Sequence, residues 1–187
     1  SDMNGLERCY DSSYNLDLIT NGYRLPTEAE WEKAARGDAS KNTALGHQRR
    51  YPWGDNIDGS YANFLDSGDK YQSGNYPWTS PVGYYDGSLN EEFQTSNGKS
   101  PYGAHDMAGN VWEWCSDWYG SYPSLLVTNP TGPESGSSHV LRGGDWYNYF
   151  FSSRGANRLG GVPEVRTGYF GFRISQTEDI TSVDNDN

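Results

Sequence analysis

Cysteine is nearly absent from this 187-residue chain: Cys9 and Cys115 are its two, and none follows position 115. Two thiols so far apart in sequence define no disulfide framework, because spacing does not reveal the distance between their Cα atoms. Neither has a neighbouring histidine or a helix start that would favour a thiolate. The three histidines, His47, His105 and His139, show no metal-ligand spacing. Gly143-Gly144 lacks both the Lys-Ser/Thr and the GxGxxG context of a phosphate-cradling loop. No apolar run reaches membrane-spanning length, and the opening residues are not expected to act as a signal peptide. Positive charge is also short, with 14 Lys and Arg against 25 Asp and Glu, a net charge of −11. That balance argues against a nucleic-acid partner and against membrane insertion, and fits cations or neutral and basic protein surfaces.

What the chain does have is rings and turns. Hydrophobic residues make up 34%, yet 15% are aromatic, including 7 Trp and 15 Tyr. Such a core is built from a few large rings whose N–H and O–H groups need partners. With 23 Gly and 9 Pro, turns and irregular segments should outweigh regular elements. The length suits one domain.

Ser1-Asp2-Met3 leads directly into what reads as mid-domain sequence, so an upstream segment is expected. Residues 4–21 form a polar loop carrying Cys9. Thr27 and Glu30 then make a capping box that starts a helix running to about Arg36, with Gly37 just beyond its end and Trp31, Ala34 and Ala35 as the buried stripe. Residues 38–50 read as a mobile loop, 51–55 as a turn with two anchoring rings, and 86–100 as a hydrophilic loop. Gly103–Trp118 is the densest aromatic cluster. Thr128–Ser138 is turn chemistry leading into a strand, His139–Arg142. The tail, residues 176–187, is acidic with little to bury and is expected to be disordered.

Two stretches carry oxygen donors suited to a hard cation such as calcium. In the first, Asp106 and Glu113 offer carboxylates, with the carbonyls of Gly109 and Val111 between them. The second, weaker set is Asn63, the Phe64 carbonyl, Asp69 and the Tyr71 carbonyl. Neither follows the EF-hand spacing, and a solvated acidic turn accounts for the same residues.

The C-terminal stretch Arg142–Arg173 has a rigid frame of Arg142-Gly143-Gly144, Trp146, Arg154, Ala156, Arg158, Pro163, Arg166 and Gly171-Phe172-Arg173. Its fillings, Tyr147 to Phe151, Leu159 to Val162 and Thr167 to Tyr169, follow neither a period of 2 nor one of 3.6. Aromatics beside Ser, Asn and Gly are the composition of an adaptable binding surface. A coiled core segment with buried rings is the competing reading.

Several motifs together resemble the formylglycine-generating-enzyme (sulfatase-modifying factor) family. They are Gly22–Glu32 (GYRLPTEAEWE), Tyr51-Pro52-Trp53-Gly54, Pro81-Val82-Gly83, Asp106–Trp114 (DMAGNVWEW), Asn129-Pro130, Arg142-Gly143-Gly144 and Gly171-Phe172-Arg173. The resemblance covers roughly residues 4–174. It implies an α+β, C-type-lectin-like fold over residues 1–175, largely irregular, without the usual N-terminal strands. It also implies calcium ligands at Asp106, Gly109, Val111 and Glu113, and at Asn63, Phe64, Asp69 and Tyr71.

The catalytic members of that family carry a copper-binding cysteine pair after Arg-Gly-Gly, where this chain has Tyr147–Ser153. Formylglycine generation is therefore not expected. The frame more closely resembles the variable proteins of diversity-generating retroelements, in which mutated AAC-type codons randomise a ligand-binding surface. NNC codons cannot encode Lys, Glu, Gln, Met or Trp. In Tyr147–Tyr169, 23 residues, only Glu164 belongs to that set. The whole chain has 27 such residues in 187, so proportion predicts about three.

The reading that follows is a non-catalytic binding module with a variable region at 142–173. Its ligand-contacting residues would be Tyr147, Asn148, Tyr149, Phe150, Gly155, Leu159, Gly160, Gly161, Val162, Val165, Thr167, Gly168 and Tyr169, on one exposed face. The expected partner is a protein on a target cell or host surface, met by a module displayed at a cell or virion surface. A formylglycine-type oxidase and a plain structural member of the family are the alternatives.

Overall fold

The computed structural model describes residues 6–12, 16–41 and 48–177, with Ala39 described by its backbone only. His47 and most of the acidic tail lie outside these residues. Strand β1 (Tyr23–Arg24) leads into helix α1 (Glu28–Arg36). The capping box is present: the Glu30 N–H donates to Thr27 Oγ1 at 3.2 Å, and the Thr27 N–H donates to Glu30 Oε2 at 2.8 Å. Gly37 closes the helix at φ +73°, its N–H on the Lys33 carbonyl. Trp31 and Ala35 are fully buried, in a core cluster with Met107, Cys115 and Val140 against which Ala34 packs.

That cluster lies on strand β4 (Trp112–Trp118), the centre of the fold. Successive side chains of a strand point to opposite faces. Here Glu113, Cys115 and Asp117 are all buried. Two of them hold α1 directly: Glu113 accepts from the Trp31 indole N–H at 2.5 Å, and Asp117 accepts from the Glu28 backbone N–H at 2.8 Å. Burial pushes the Cys115 thiol well above its ordinary pKa. Cys9 is separately buried beside the Thr20 hydroxyl, and both thiols are free.

Strands β5 (His139–Arg142), β6 (Arg158–Gly161) and β7 (Phe170–Phe172) complete a four-stranded sheet in the order β6-β5-β4-β7. Only the β4–β7 pairing is parallel. Arg158, Arg142, Glu113 and Gly171 lie side by side across this sheet. Sequence pattern alone missed β6, because Arg-Leu-Gly-Gly offers no alternation, and pairing with β5 decides its state. Likewise the expected loop at 86–100 contains a hairpin, β2 (Leu89–Asn90) with β3 (Phe93–Gln94). The expected tail begins late: β8 (Ser175–Gln176) pairs with β1, and Thr177 donates to the Leu18 carbonyl.

The turn before β4 ties the irregular half of the chain to the sheet. The Gly109 N–H donates to the Gly143 carbonyl, and the Asn110 N–H to the Asn63 carbonyl, each at 2.7 Å. The Asn110 carbonyl accepts from the Trp146 N–H at 3.0 Å, while its side chain exchanges two hydrogen bonds with the Ser80 backbone. A Cβ at Gly109 would sit 2.2 Å from the Asn63 carbonyl oxygen, so this approach requires glycine.

Charge is buried in pairs. Arg173 donates twice to Glu113, each bond 2.6 Å, and the pair sits beside Trp31. Burial pushes the Glu113 carboxyl up, against the opposing pull of Arg173. Arg173→Met is therefore expected to lower unfolding free energy by about 3 kcal/mol, since it strands a buried carboxylate. Adding Glu113→Gln should recover part of the loss in chemical denaturation. Equal losses for single and double variants would contradict this coupling.

Candidate functional site

The C-terminal segment leaves β5 at Arg142 and is clamped along its length. Arg142 is completely buried, paired with Glu32 and Glu28 and donating to the Asn157 carbonyl at 2.5 Å, with its guanidinium over the Trp31 ring. Arg158 makes a two-pronged pair with Glu28 at 2.8 and 2.6 Å, between the Tyr119 and Tyr122 rings. Glu28 and Glu32 on α1 are thus the anchors of the segment. A local reading could only place them in a helix.

Between these clamps the backbone is pinned. The Leu65 N–H donates to the Asn148 carbonyl at 2.9 Å and the Gly155 N–H to the Arg50 carbonyl at 2.9 Å. Asp145 Oδ1 accepts from the Tyr147 N–H and from the Asn148 amide, at 3.0 and 2.6 Å. Residues Phe150–Ser153 form one 3-10 turn, with Ser152 and Ser153 buried beneath it. The side chains on top face water: Tyr147 is 55% exposed, Tyr149 51%, Phe151 51% and Phe150 44%. Tyr149 stacks on Phe151, and Phe150 meets Phe64 edge-on. Leu159, Val162 and Val165 are exposed as well.

These residues, expected on one exposed face, fall into separate groups along the sheet. Tyr147, Thr167, Gly168 and Tyr169 gather beside β7, with Tyr147 and Tyr169 centroids 5.6 Å apart. Leu159, Gly160 and Gly161 belong to β6, the opposite outer strand, with β5 and β4 between. Two of the expected contact positions serve the scaffold instead. A Cβ on Gly161 would stand 2.6 Å from both Leu141 and the Trp114 ring, and one on Gly155 would stand 2.5 Å from Arg36 Cγ. Asn148 is half-buried and spends its amide on Asp145. Conversely, Tyr76, from a loop far upstream, joins the Tyr147–Tyr169 group edge-on to Tyr169. Nothing local in the sequence marks it.

The oxygen-donor sets differ in how much of their chemistry is already engaged. In the first, both Glu113 oxygens hold Arg173 and one also holds Trp31. Asp106 accepts from the Gly83 N–H at 2.7 Å, and its burial raises its pKa. The Gly109 carbonyl accepts from the Val111 N–H. A guanidinium already compensates this set, which fits a second cation poorly. In the second, Asp69 accepts from the Tyr71 N–H and the Tyr85 hydroxyl, and the Phe64 carbonyl accepts from Ser67 and Gln72. Asn63 Oδ1, however, is buried and meets no donor among the described residues. An orphaned buried acceptor is a group that a hard cation would satisfy.

Residues 6–177 match the sulfatase-modifying factor enzyme 1-like domain. The chain belongs to this family. A formylglycine-generating enzyme of Streptomyces coelicolor is 36% identical over 170 residues, which cover 86% of this chain and 49% of the enzyme. The serine/threonine-protein kinase pkn1 of Chlamydia caviae is 39% identical over 160 residues, 83% of this chain and 21% of the kinase. Among solved structures, Treponema denticola variable protein 1 aligns with a TM-score of 0.55 and 29% identity over 86% of this chain and 49% of its own. The chain spans half or less of the length of these three relatives. Its fold is the α+β, C-type-lectin-like arrangement of the sulfatase-modifying factor family, with short antiparallel strands and little helix.

Gly161→Ala is expected to cost about 1–3 kcal/mol through overpacking. Tyr149→Ala at the surface should change stability by less than about 0.5 kcal/mol. Thermal denaturation of the two variants side by side distinguishes scaffold from surface. A large loss for Tyr149→Ala would mark that ring as core.

Proposed function

We propose that this chain is a non-catalytic ligand-binding module, built like the variable proteins of diversity-generating retroelements. The carrying observation is the exposed row Tyr147, Tyr149, Phe150 and Phe151 on a pinned backbone. Large rings held still lose little entropy on binding, which is what a protein-binding hot spot needs. The same stretch is where the resemblance implies copper-binding cysteines in catalytic members, and it contains none. The likeness to Treponema denticola variable protein 1 supports this reading. The matches to formylglycine-generating enzymes keep an oxidase as the second reading.

The partner is a protein on a target cell or host surface, met by a module displayed at the surface of a cell or virion. Variation should concentrate at the exposed positions, Tyr147, Tyr149, Phe150, Leu159, Val162 and Val165, and at the half-buried Tyr169, and spare Gly155 and Gly161. Sequencing related isolates and the adjoining DNA tests this. A reverse transcriptase gene with a near-copy of the codons for residues 142–173 is expected. Identical segments in every isolate would overturn it. Copper-dependent turnover of a cysteine-containing sulfatase peptide would instead establish the oxidase.

Calcium, in this reading, is a structural ion held by Asn63, the Phe64 and Tyr71 carbonyls and Asp69, in preference to the Glu113 set. Removing calcium with a chelator should lower Tm by about 3–6 °C, as for 1–2 kcal/mol in a domain of this size. Asp69→Ala should lose that sensitivity. A wild-type Tm indifferent to chelator would remove calcium from the account.

A further inference from the structure

Resting on the binding reading above and deepening it, we infer that the rings beside β7 form a subsite for a cationic side chain, arginine or lysine, of the partner protein. Tyr169 stacks on Trp146 with centroids 5.1 Å apart, and Tyr147 lies 5.6 Å from each. Tyr76 stands edge-on to Trp146 and Tyr169 at 5.4 and 5.9 Å. Its hydroxyl lies 3.0 Å from where a Gly168 Cβ would be, so the upstream loop sits directly against the segment. Tyr76 is 57% exposed and lies outside the variable positions.

Next to these rings lies a buried carboxylate with no cationic partner. Asp145 precedes Trp146, is 3% exposed, and commits Oδ1 to Tyr147 and Asn148. Among the described residues no cation pairs with it, and its burial raises its pKa against the pull of the Asn148 and Tyr147 donors. Its charge is felt at the rings: the Tyr169 phenol titrates above its ordinary value, first through its hydrogen bond with Tyr76 and in part through Asp145. The lysines and arginines that do lie over rings are elsewhere among the described residues, on Tyr102, Tyr71, Trp31, Tyr119 and Tyr122.

Three kinds of partner group can be weighed against this arrangement. An apolar group would bury the rings but desolvate Asp145 further with nothing in return. An anion would meet a carboxylate and a chain of net charge −11. A guanidinium or ammonium gains from the ring faces and from the carboxylate together.

The test uses the whole chain and a defined probe, N-acetyl-arginine methylamide, against its neutral citrulline counterpart. Binding is followed by NMR at the Trp146 indole and the tyrosine rings. Saturable shifts at Trp146 are expected for the arginine compound, with the citrulline compound about tenfold weaker. Asp145→Asn and Tyr76→Ala should each weaken the arginine compound by a similar factor. If Asp145→Asn does not fold, Tyr76→Ala, whose ring is at the surface, carries the comparison. Equal binding of the two compounds, or no shift at Trp146, overturns the cation subsite. That failure alongside a segment that varies between isolates removes only the ligand class, whereas an invariant segment removes the binding reading itself.

Discussion

One tight turn, Gly109-Asn110, holds the irregular half of this protein to its sheet. Its two N–H groups reach Gly143 and Asn63, its carbonyl reaches Trp146, and the Asn110 amide closes on Ser80. Three separate chain segments, around Asn63, Ser80 and Gly143–Trp146, therefore meet at a turn that a single methyl group at Gly109 would disrupt. A chain with so few aliphatic residues cannot rely on a broad apolar core. It relies on satisfied backbone groups and on large rings with partnered N–H groups, as Trp31 and Trp146 illustrate.

The buried arginines extend the same logic to the C-terminal segment. Arg142 and Arg158 are tied to Glu28 and Glu32 of α1, and Arg173 to Glu113 of β4. A guanidinium fork fixes direction as well as position, which a hydrophobic contact does not. The surface rings between these clamps can therefore be large and still well placed. Arg154 and Arg166, from the same set of frame residues, are exposed, so the frame is held by some of its arginines and not all.

Much of this was legible in the chain, at the local scale. The Thr27–Glu30 box, the Gly37 stop and the Trp31 stripe depend on residues three or four apart, and each has one physical interpretation. The exposure of Tyr147, Tyr149 and Phe150 follows the composition of the segment. What sequence could not supply was partnership across distance. Nothing near Glu113 in sequence announces Arg173, which lies against it from 60 residues away. Gly161 reads as a permissive position until Trp114 is seen beneath it. Strand β6 has no pattern of its own and exists because β5 lies beside it.

The register at Glu113 has one more consequence. Arg142, where the segment departs, and Gly171, where it returns, are the two direct neighbours of the same residue on β4. The excursion of nearly thirty residues thus begins and ends at adjacent, immobilised points. The entropy of closing such a loop is settled by its anchors and changes only slowly with its length. Engineered recognition on this domain should nevertheless exchange single exposed rings and leave the segment whole, because Trp146, Asn148, Gly155 and Arg158 within the excursion hold residues outside it.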